Sequence, residues 1–556
     1  MSRLPLLALV LGVACSNSAD VAPPPAPGEP EAPAAQAAGP EAAVGEVPTF
    51  PSTRPQDVHR WVILGMDGMD PRVVADMWSR GAMKNLHRLC GEGVCLKSSS
   101  AWASSPVIWT TVATGVVPER HGIDRFVNET MGGRVPVGST DRKTAAIWDV
   151  ASQAGYSTAV MGWLVTYPAY PLNGLNMSDR SAKSNAGADR LLPASFQPTF
   201  DAALPAAMAG KDELFDHCEW MGENDAWVSY WTPKVVASGY DLVFSYIRCI
   251  DVVSHKYWGY WETAAFPKLD PSDIALYKDI LPNNYEAADQ VLGHVLDALP
   301  RDTNLIVMSD HGFHATPNFQ IDVRLNTDKL LENLGYAATN EAGDAIPAQS
   351  KMIKWHTAPT WYRQKIRFQI AGRDEGGTVQ PGEVEALKAE LKAKLHAINY
   401  ATGQRAFQWV EPEAQEKEVG ADVVIQVLKG KVSQQLIVGG ATVDGLIGPI
   451  TMNTGNHHPV APNGWFMAWG PDINPSFSAE TIRVRDIAPT VAYGIGLPVA
   501  QDSDGVAVQE LFTQAFRDSH ELKTVPTWGR HDTAPTVAAG GDEAVIRELQ
   551  TLGYIQ

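Results

Sequence analysis

Val62-Ile63-Leu64-Gly65-Met66-Asp67-Gly68 is an apolar run that stops on an acid flanked by glycines, and Asn304-Leu305-Ile306-Val307-Met308-Ser309-Asp310-His311-Gly312 repeats the arrangement. Each reads as a buried strand that hands a polar side chain to the loop after it. Further apolar runs at 157–163, 241–247, 422–427 and 464–469 have the length of buried strands. Helical spacing recurs between them, most clearly in Val384, Leu387, Leu391, Leu395 and Ile398. Strands alternating with helices predict an α/β fold, a mostly parallel central sheet with helices on both faces. In such sheets ligands gather outside the carboxyl ends of the strands.

Four motifs occupy those ends. Asp67 is the first; alone, Asp-Gly is a common turn. In Ser104-Ser105-Pro106-Val107-Ile108-Trp109, Pro suits the first helical position and Ser the cap before it, so Ser105 is expected to cap a helix starting at Pro106. Its oxygen would lie in the positive end of the helix field, which favours an alkoxide and an anionic substrate. Asp251-Val252-Val253-Ser254-His255 places a carboxylate and an imidazole on one helix face, as an ion site or a surface pair. Asp310-His311 closes the strand run at 304–309, and Gly455-Asn456-His457-His458 adds imidazoles before 464–469. Asp67, Ser105, Asp251, His255, Asp310, His311 and His457 thus form a mixed carboxylate and imidazole set that suits Zn²⁺, with enough groups for two ions.

The order and wording of these motifs resemble the alkaline phosphatase superfamily, in its type I phosphodiesterase/nucleotide pyrophosphatase branch. Pro118-Glu119-Arg120-His121-Gly122-Ile123, Asp486-Ile487-Ala488-Pro489-Thr490 and Asp502-Ser503-Asp504-Gly505 are similar to family segments as well. The resemblance spans most of residues 59–515. It implies two Zn²⁺ per chain, one on Asp67, Asp310 and His311, the other on Asp251, His255 and His457, with Ser105 as the nucleophile that also touches metal. The implied activity is hydrolysis of a small phosphate ester through a phosphoserine. Alternatives are a phosphomonoesterase on the same two-metal site and a non-catalytic envelope-binding protein.

Departures from the family pattern are specific. The nucleophile position has Ser105 followed by Pro106, where the family has Thr, an aromatic residue and Pro. The position of a phosphate-contacting Asn is Phe126, which makes nearby Asn128 the candidate. Gly162-Trp163-Leu164-Val165-Thr166-Tyr167-Pro168 resembles pocket wall and nominates Trp163, whose other reading is core packing. His458 competes with His457 for the last ligand role. Ile108 stands where sulfatases need Arg, which disfavours a sulfatase.

The chain has 556 residues, 44 Lys and Arg against 63 Asp and Glu, and a net charge of −19. That balance disfavours a nucleic-acid binding surface, which needs surplus cations. Residues 4–14 form an apolar run after Arg3, too short to span a bilayer, and read as a signal peptide. Leu11-Gly12-Val13-Ala14-Cys15 resembles a lipoprotein cleavage box and makes Cys15 a candidate lipid anchor, which implies an exported protein of the periplasm or outer envelope. Residues 16–58 read as an Ala- and Pro-rich disordered tether, 59–515 as the catalytic domain with an inserted cap region within 312–454, 516–541 as a linker and 542–556 as a C-terminal helix. Cys90, Cys95, Cys218 and Cys249 permit three disulfide pairings, of which Cys90 with Cys95 would close locally.

Overall fold

The computed structural model describes residues 46–531, apart from 131–132, 183–187, 216, 268, 323–324, 341–344, 356–362, 414–416, 418–419, 429–431, 448–450 and 458–460. The signal segment with Cys15, most of the tether, His458 and the expected C-terminal helix lie outside the described residues.

A nine-stranded sheet organises the chain. Its strands are β1 (Arg60–Met66), β2 (Val94–Ser99), β3 (Thr158–Met161), β4 (Gly174–Met177), β5 (Leu191–Leu192), β6 (Leu242–Ile247), β7 (Thr303–Met308), β8 (Gly464–Trp469) and β9 (Thr481–Arg483), in the order β9-β2-β8-β7-β1-β6-β3-β4-β5. The central neighbours β7, β1, β6, β3 and β4 run parallel, while β8 runs antiparallel between β2 and β7. Period-two alternation divides β1 between two cores. Val62, Leu64 and Met66 join Leu305 and Val307 in one apolar cluster; Trp61 and Ile63 join Ile306 and Met308 in another. Both faces are therefore covered, as continuous apolar strands require.

The helices that matter for the site are α1 (Pro71–Ser79), α2 (Ser105–Thr114), α3 (Glu219–Ala237), α4 (Cys249–Trp261) and α5 (Ile280–Ala298). All ten residues of α2 are buried, which fits a helix that is apolar around most of its circumference. Among the described residues two disulfides are present, Cys90–Cys95 and Cys218–Cys249. The second ties the residue before α3 to the first residue of α4.

The cap enters and leaves on an antiparallel ribbon, His314–Asp322 against Thr451–Asn456, with His314 opposite Asn456. Beyond the ribbon, residues 325–447 have their own apolar cluster, which includes Leu330, Met352, Phe368, Leu391, Leu395 and Ile425. Helix α6 (Val384–His396) lies in this region. The run at 422–427 is the strand Val423–Val427 of the cap's antiparallel sheet and not of the central one. A buried strand in a small second core has the same apolar signature as one in the large core.

The tether and the linker are shorter than the sequence suggests. Arg54 Nε donates to Asp241 Oδ1 at 2.7 Å, Thr53 Oγ1 donates to the Ala154 carbonyl at 2.6 Å, and Asn173 Nδ2 donates to the Pro51 carbonyl at 2.9 Å. The folded unit thus begins before residue 59. At the other end, Gln514–Ser519 is helical and Thr524–Val525 pairs with Val499–Ala500. No helix among the described residues is long and apolar enough to cross a membrane.

Candidate active site

Parallel register aligns three strand ends. Met66 of β1 lies opposite Ile247 of β6, and Gly65 lies opposite Met308 of β7. Asp67, the first turns of α4 and Asp310 therefore leave the sheet side by side. Because β8 is antiparallel to β7, the chain segment before β8 arrives at the same edge and brings His457. The ribbon that carries the cap sets His311 and His457 close together across a long sequence interval.

The structure brings together all seven residues expected at the metal and nucleophile positions. Asp67, Asp310 and His311 form one group of potential ligands, and Asp251, His255 and His457 form another. His311 Nε2 lies 3.4 Å from Asp67 Oδ1, 3.4 Å from Asp310 Oδ2 and 3.8 Å from Asp251 Oδ1. Asp251 Oδ1 is 3.6 Å from His255 Nε2 and 3.8 Å from His457 Nε2. Ser105 Oγ lies 3.3 Å from His311 Nε2. All of these side chains are buried.

The imidazoles are oriented from behind. His255 Nδ1 is 3.2 Å from the Gly455 carbonyl and His311 Nδ1 is 3.0 Å from the Gly312 carbonyl. A carbonyl accepts only, so each Nδ1 carries the proton and each Nε2 presents its lone pair to the cluster. Gly68 lets the acids approach. Its φ is +71°, and a Cβ there would stand 2.9 Å from Asp251 Cα.

The carboxylates lack the partners that burial demands. Asp67 Oδ1, both oxygens of Asp251 and Asp310 Oδ2 make no hydrogen bond among the described residues. Burial, and then the charge of Asp67, push Asp251 and Asp310 well above the usual carboxylate range. Burial likewise lowers His311. Three buried acids facing imidazole nitrogens form a cage that needs cations. The donor set fits a divalent metal ion.

Ser105 sits one residue deeper than expected. Ser104, with φ −109° and ψ 118°, is the N-cap, and Ser105 is the first helical residue, with Pro106 after it. Pro is tolerated there because N–H groups of the first turn have no helical acceptor. Ser105 remains in the positive end of α2.

Asn128 and Trp163 have different surroundings. Asn128 lies on a hairpin, where its Nδ2 donates to Asp141 Oδ1 at 2.9 Å. Trp163 is fully buried, its ring 4.9 Å from Trp109 and 5.0 Å from Phe244, and its Nε1 donates to the Trp109 carbonyl at 3.2 Å. Trp163 thus braces α2 from the core.

Residues outside the motifs also shape the site. Trp109 and Tyr246 both donate to Asp67 Oδ2. Asp225, on α3, accepts from the backbone N–H of Arg248 at 2.7 Å and of Cys249 at 2.6 Å, capping α4 from outside. Burial pushes Asp225 up to about 7, against those two bonds. Trp109 falls four residues after Ser105, a spacing that puts both on one helix face; Asp225 carries no sequence signal.

His121 secures α2 and predicts an acid limit. Its Nδ1 accepts from Ile123 N at 3.2 Å, so its proton sits on Nε2, 3.1 Å from Thr111 Oγ1. Burial, then the charge of Arg142, lowers His121 from 6.5 to about 3. The unfolded chain therefore takes this proton first, and stability falls as pH drops from 6.5 towards 3, by about 1.4 kcal/mol per unit. Urea unfolding across that range should show this slope, and His121→Gln should remove about one proton's share. An unchanged slope in the variant would assign the acid sensitivity elsewhere.

The family described as type I phosphodiesterase/nucleotide pyrophosphatase matches residues 61–436, more than half of the chain. The match includes Asp67, Ser105, Asp251, His255, Asp310 and His311, and His457 lies past it. Among solved structures, human ectonucleotide pyrophosphatase/phosphodiesterase 5 is similar at 13% identity and a TM-score of 0.39, over 82% of this chain and 100% of that one. The murine protein is similar to the same degree, and one of its structures is an inactive variant in complex with AMP. No curated protein sequence matches the chain.

Proposed function

The chain belongs to the type I phosphodiesterase/nucleotide pyrophosphatase family, hydrolases of phosphodiester and pyrophosphate bonds, and from that premise we propose an exported zinc phosphodiesterase that acts through Ser105. The observation that carries the reading is the cage of three buried acids and three imidazoles beside a serine at a helix N-terminus.

Asp67, Asp310 and His311 would hold one Zn²⁺, and Asp251, His255 and His457 the other. Bound divalent ions there supply Lewis acidity, lowering the pKa of a neighbouring hydroxyl and neutralising charge on phosphoryl oxygens. Ser105 Oγ attacks phosphorus from the positive end of α2, the bond to the leaving oxygen breaks on the opposite side, and water then cleaves the phosphoserine. Retained configuration at phosphorus follows from two in-line displacements. Export is supported by the N-terminal apolar run and by two disulfides, which persist in oxidising compartments.

Charge favours a diester. Two divalent ions contribute +4, the three acids −3 and a Ser105 alkoxide −1; Arg248, buried behind Asp67 and raised by Tyr246 and Asp67 despite its desolvation, contributes +1. The sum is +1, which a monoanionic diester neutralises and a dianionic monoester exceeds. One unit charge at about 4 Å is on the order of 4 kcal/mol at an effective dielectric near 20, and screening leaves roughly 1–3 kcal/mol. An aryl diester should therefore exceed the matching monoester by roughly ten- to a hundredfold in kcat/KM, measured on zinc-loaded protein. A monoester preference of tenfold or more would reassign the enzyme as a phosphomonoesterase.

A further inference from the structure

We propose that Tyr246, polarised by Arg248, is a positioning residue that fixes Asp67 as a one-oxygen metal ligand; this rests on the reading of Asp67, Asp310 and His311 as a metal subsite. The two oxygens of Asp67 have different surroundings. Oδ2 accepts from Trp109 Nε1 at 3.1 Å and from the Tyr246 hydroxyl. Oδ1 makes no hydrogen bond among the described residues and faces His311 Nε2 at 3.4 Å. One oxygen is anchored and the other is presented to the cage.

The direction of the Tyr246 bond is fixed by chemistry. Arg248 Nε donates to the Tyr246 oxygen at 3.2 Å. Guanidinium cannot accept, so the single phenolic proton points to Asp67. Donation from a cation strengthens the next bond in the chain. Arg248 is itself held, since its backbone N–H is bound by Asp225.

Packing keeps the donors in place. The Tyr246 and Trp109 rings meet edge to face at 5.1 Å, and Trp109 meets Trp163 at 4.9 Å. Gly65 makes room, because a Cβ there would stand 2.9 Å from the Trp109 ring. A phenol backed by a buried cation, and an indole, thus converge on one oxygen of one acid, an arrangement that orients a ligand.

The test is a Zn²⁺ titration of chelator-stripped full-length protein against a competing chelator, with Tyr246→Phe, Asp67→Asn and the double variant alongside, and with thermal melting of each metal-free form. Tyr246→Phe keeps the ring. It should weaken one of two ion-binding events by roughly 10–100-fold, the loss expected when an outer partner of a ligand is removed. The other event should keep its affinity. In the Asp67→Asn background the Tyr246→Phe change should have no further effect. Unchanged zinc affinity in Tyr246→Phe would overturn the positioning role. Equal weakening of both events together with a lowered metal-free melting temperature would also overturn it, because that pattern marks a general structural contribution. A wild-type protein that takes up no zinc would sink the metal reading itself, which is a separate failure.

Discussion

Ser105→Ala is expected to lower kcat/KM for an aryl phosphodiester by ~10³-fold or more, a loss of the size seen when a covalent nucleophile is removed. Zinc content should stay at the wild-type level. The reason lies in the division of labour at the site. Ser105 is buried with its Oγ 3.3 Å from His311 Nε2, but the acids and imidazoles of both groups close without it. The change removes one oxygen from the first residue of α2, a helix whose ten residues are all buried, Pro106 among them, so the fold should survive. Near-normal turnover in Ser105→Ala would transfer the nucleophilic role elsewhere and remove the helix-terminus argument.

Asp251→Asn is expected to separate stability from function. Asp251 lies 3.6 Å from His255 and 3.8 Å from both His311 and His457. Neither of its oxygens has a hydrogen-bond partner among the described residues. As a ligand it should be worth more than the ~10–100-fold of an outer partner in metal affinity, and activity should fall with it. Without metal the same carboxylate is a burden. Burial and Asp67 raise it well above 3.8. The folded chain therefore binds its proton more tightly than the unfolded one, and stability is lost as pH rises above 3.8. Asn has no such proton. The metal-free variant should accordingly be more stable than wild type at pH 7, by roughly 1–3 kcal/mol, the scale of one buried unsatisfied group, and the gain should vanish near pH 4. Equal metal-free stabilities at pH 7 would mean that the acids carry no such penalty.

The clustered side chains were legible in the sequence where a polar residue adjoins a strand. Asp67 and Asp310 directly follow buried apolar runs, and Asp251 and His255 share a helix face, so local pattern was enough for each. The sheet order was not legible, because pairing is a long-range property: β8 is far from β7 in sequence yet lies beside it. Strand β2, second from one end of the sheet, alternates in burial and lacks a continuous apolar run. The helix cap moved by one residue because Ser104 and Ser105 offer the same chemistry and only backbone angles separate them. Trp163 was read as a wall or as core, and its burial places it in the core. Tyr246, near the end of β6, and Arg248, just past it, were hidden in the stretch that leads to Asp251, where lone polar groups attract no notice until Asp67 is placed beside them.

As a two-ion zinc centre, this cage should drive diester hydrolysis only when metal is bound. The direct measurement is the rate of aryl diester cleavage by chelator-stripped protein titrated with Zn²⁺. No turnover is expected without metal, and the rate should rise until it saturates near two ions per chain. Full activity in the stripped protein, unaffected by added zinc, would contradict it.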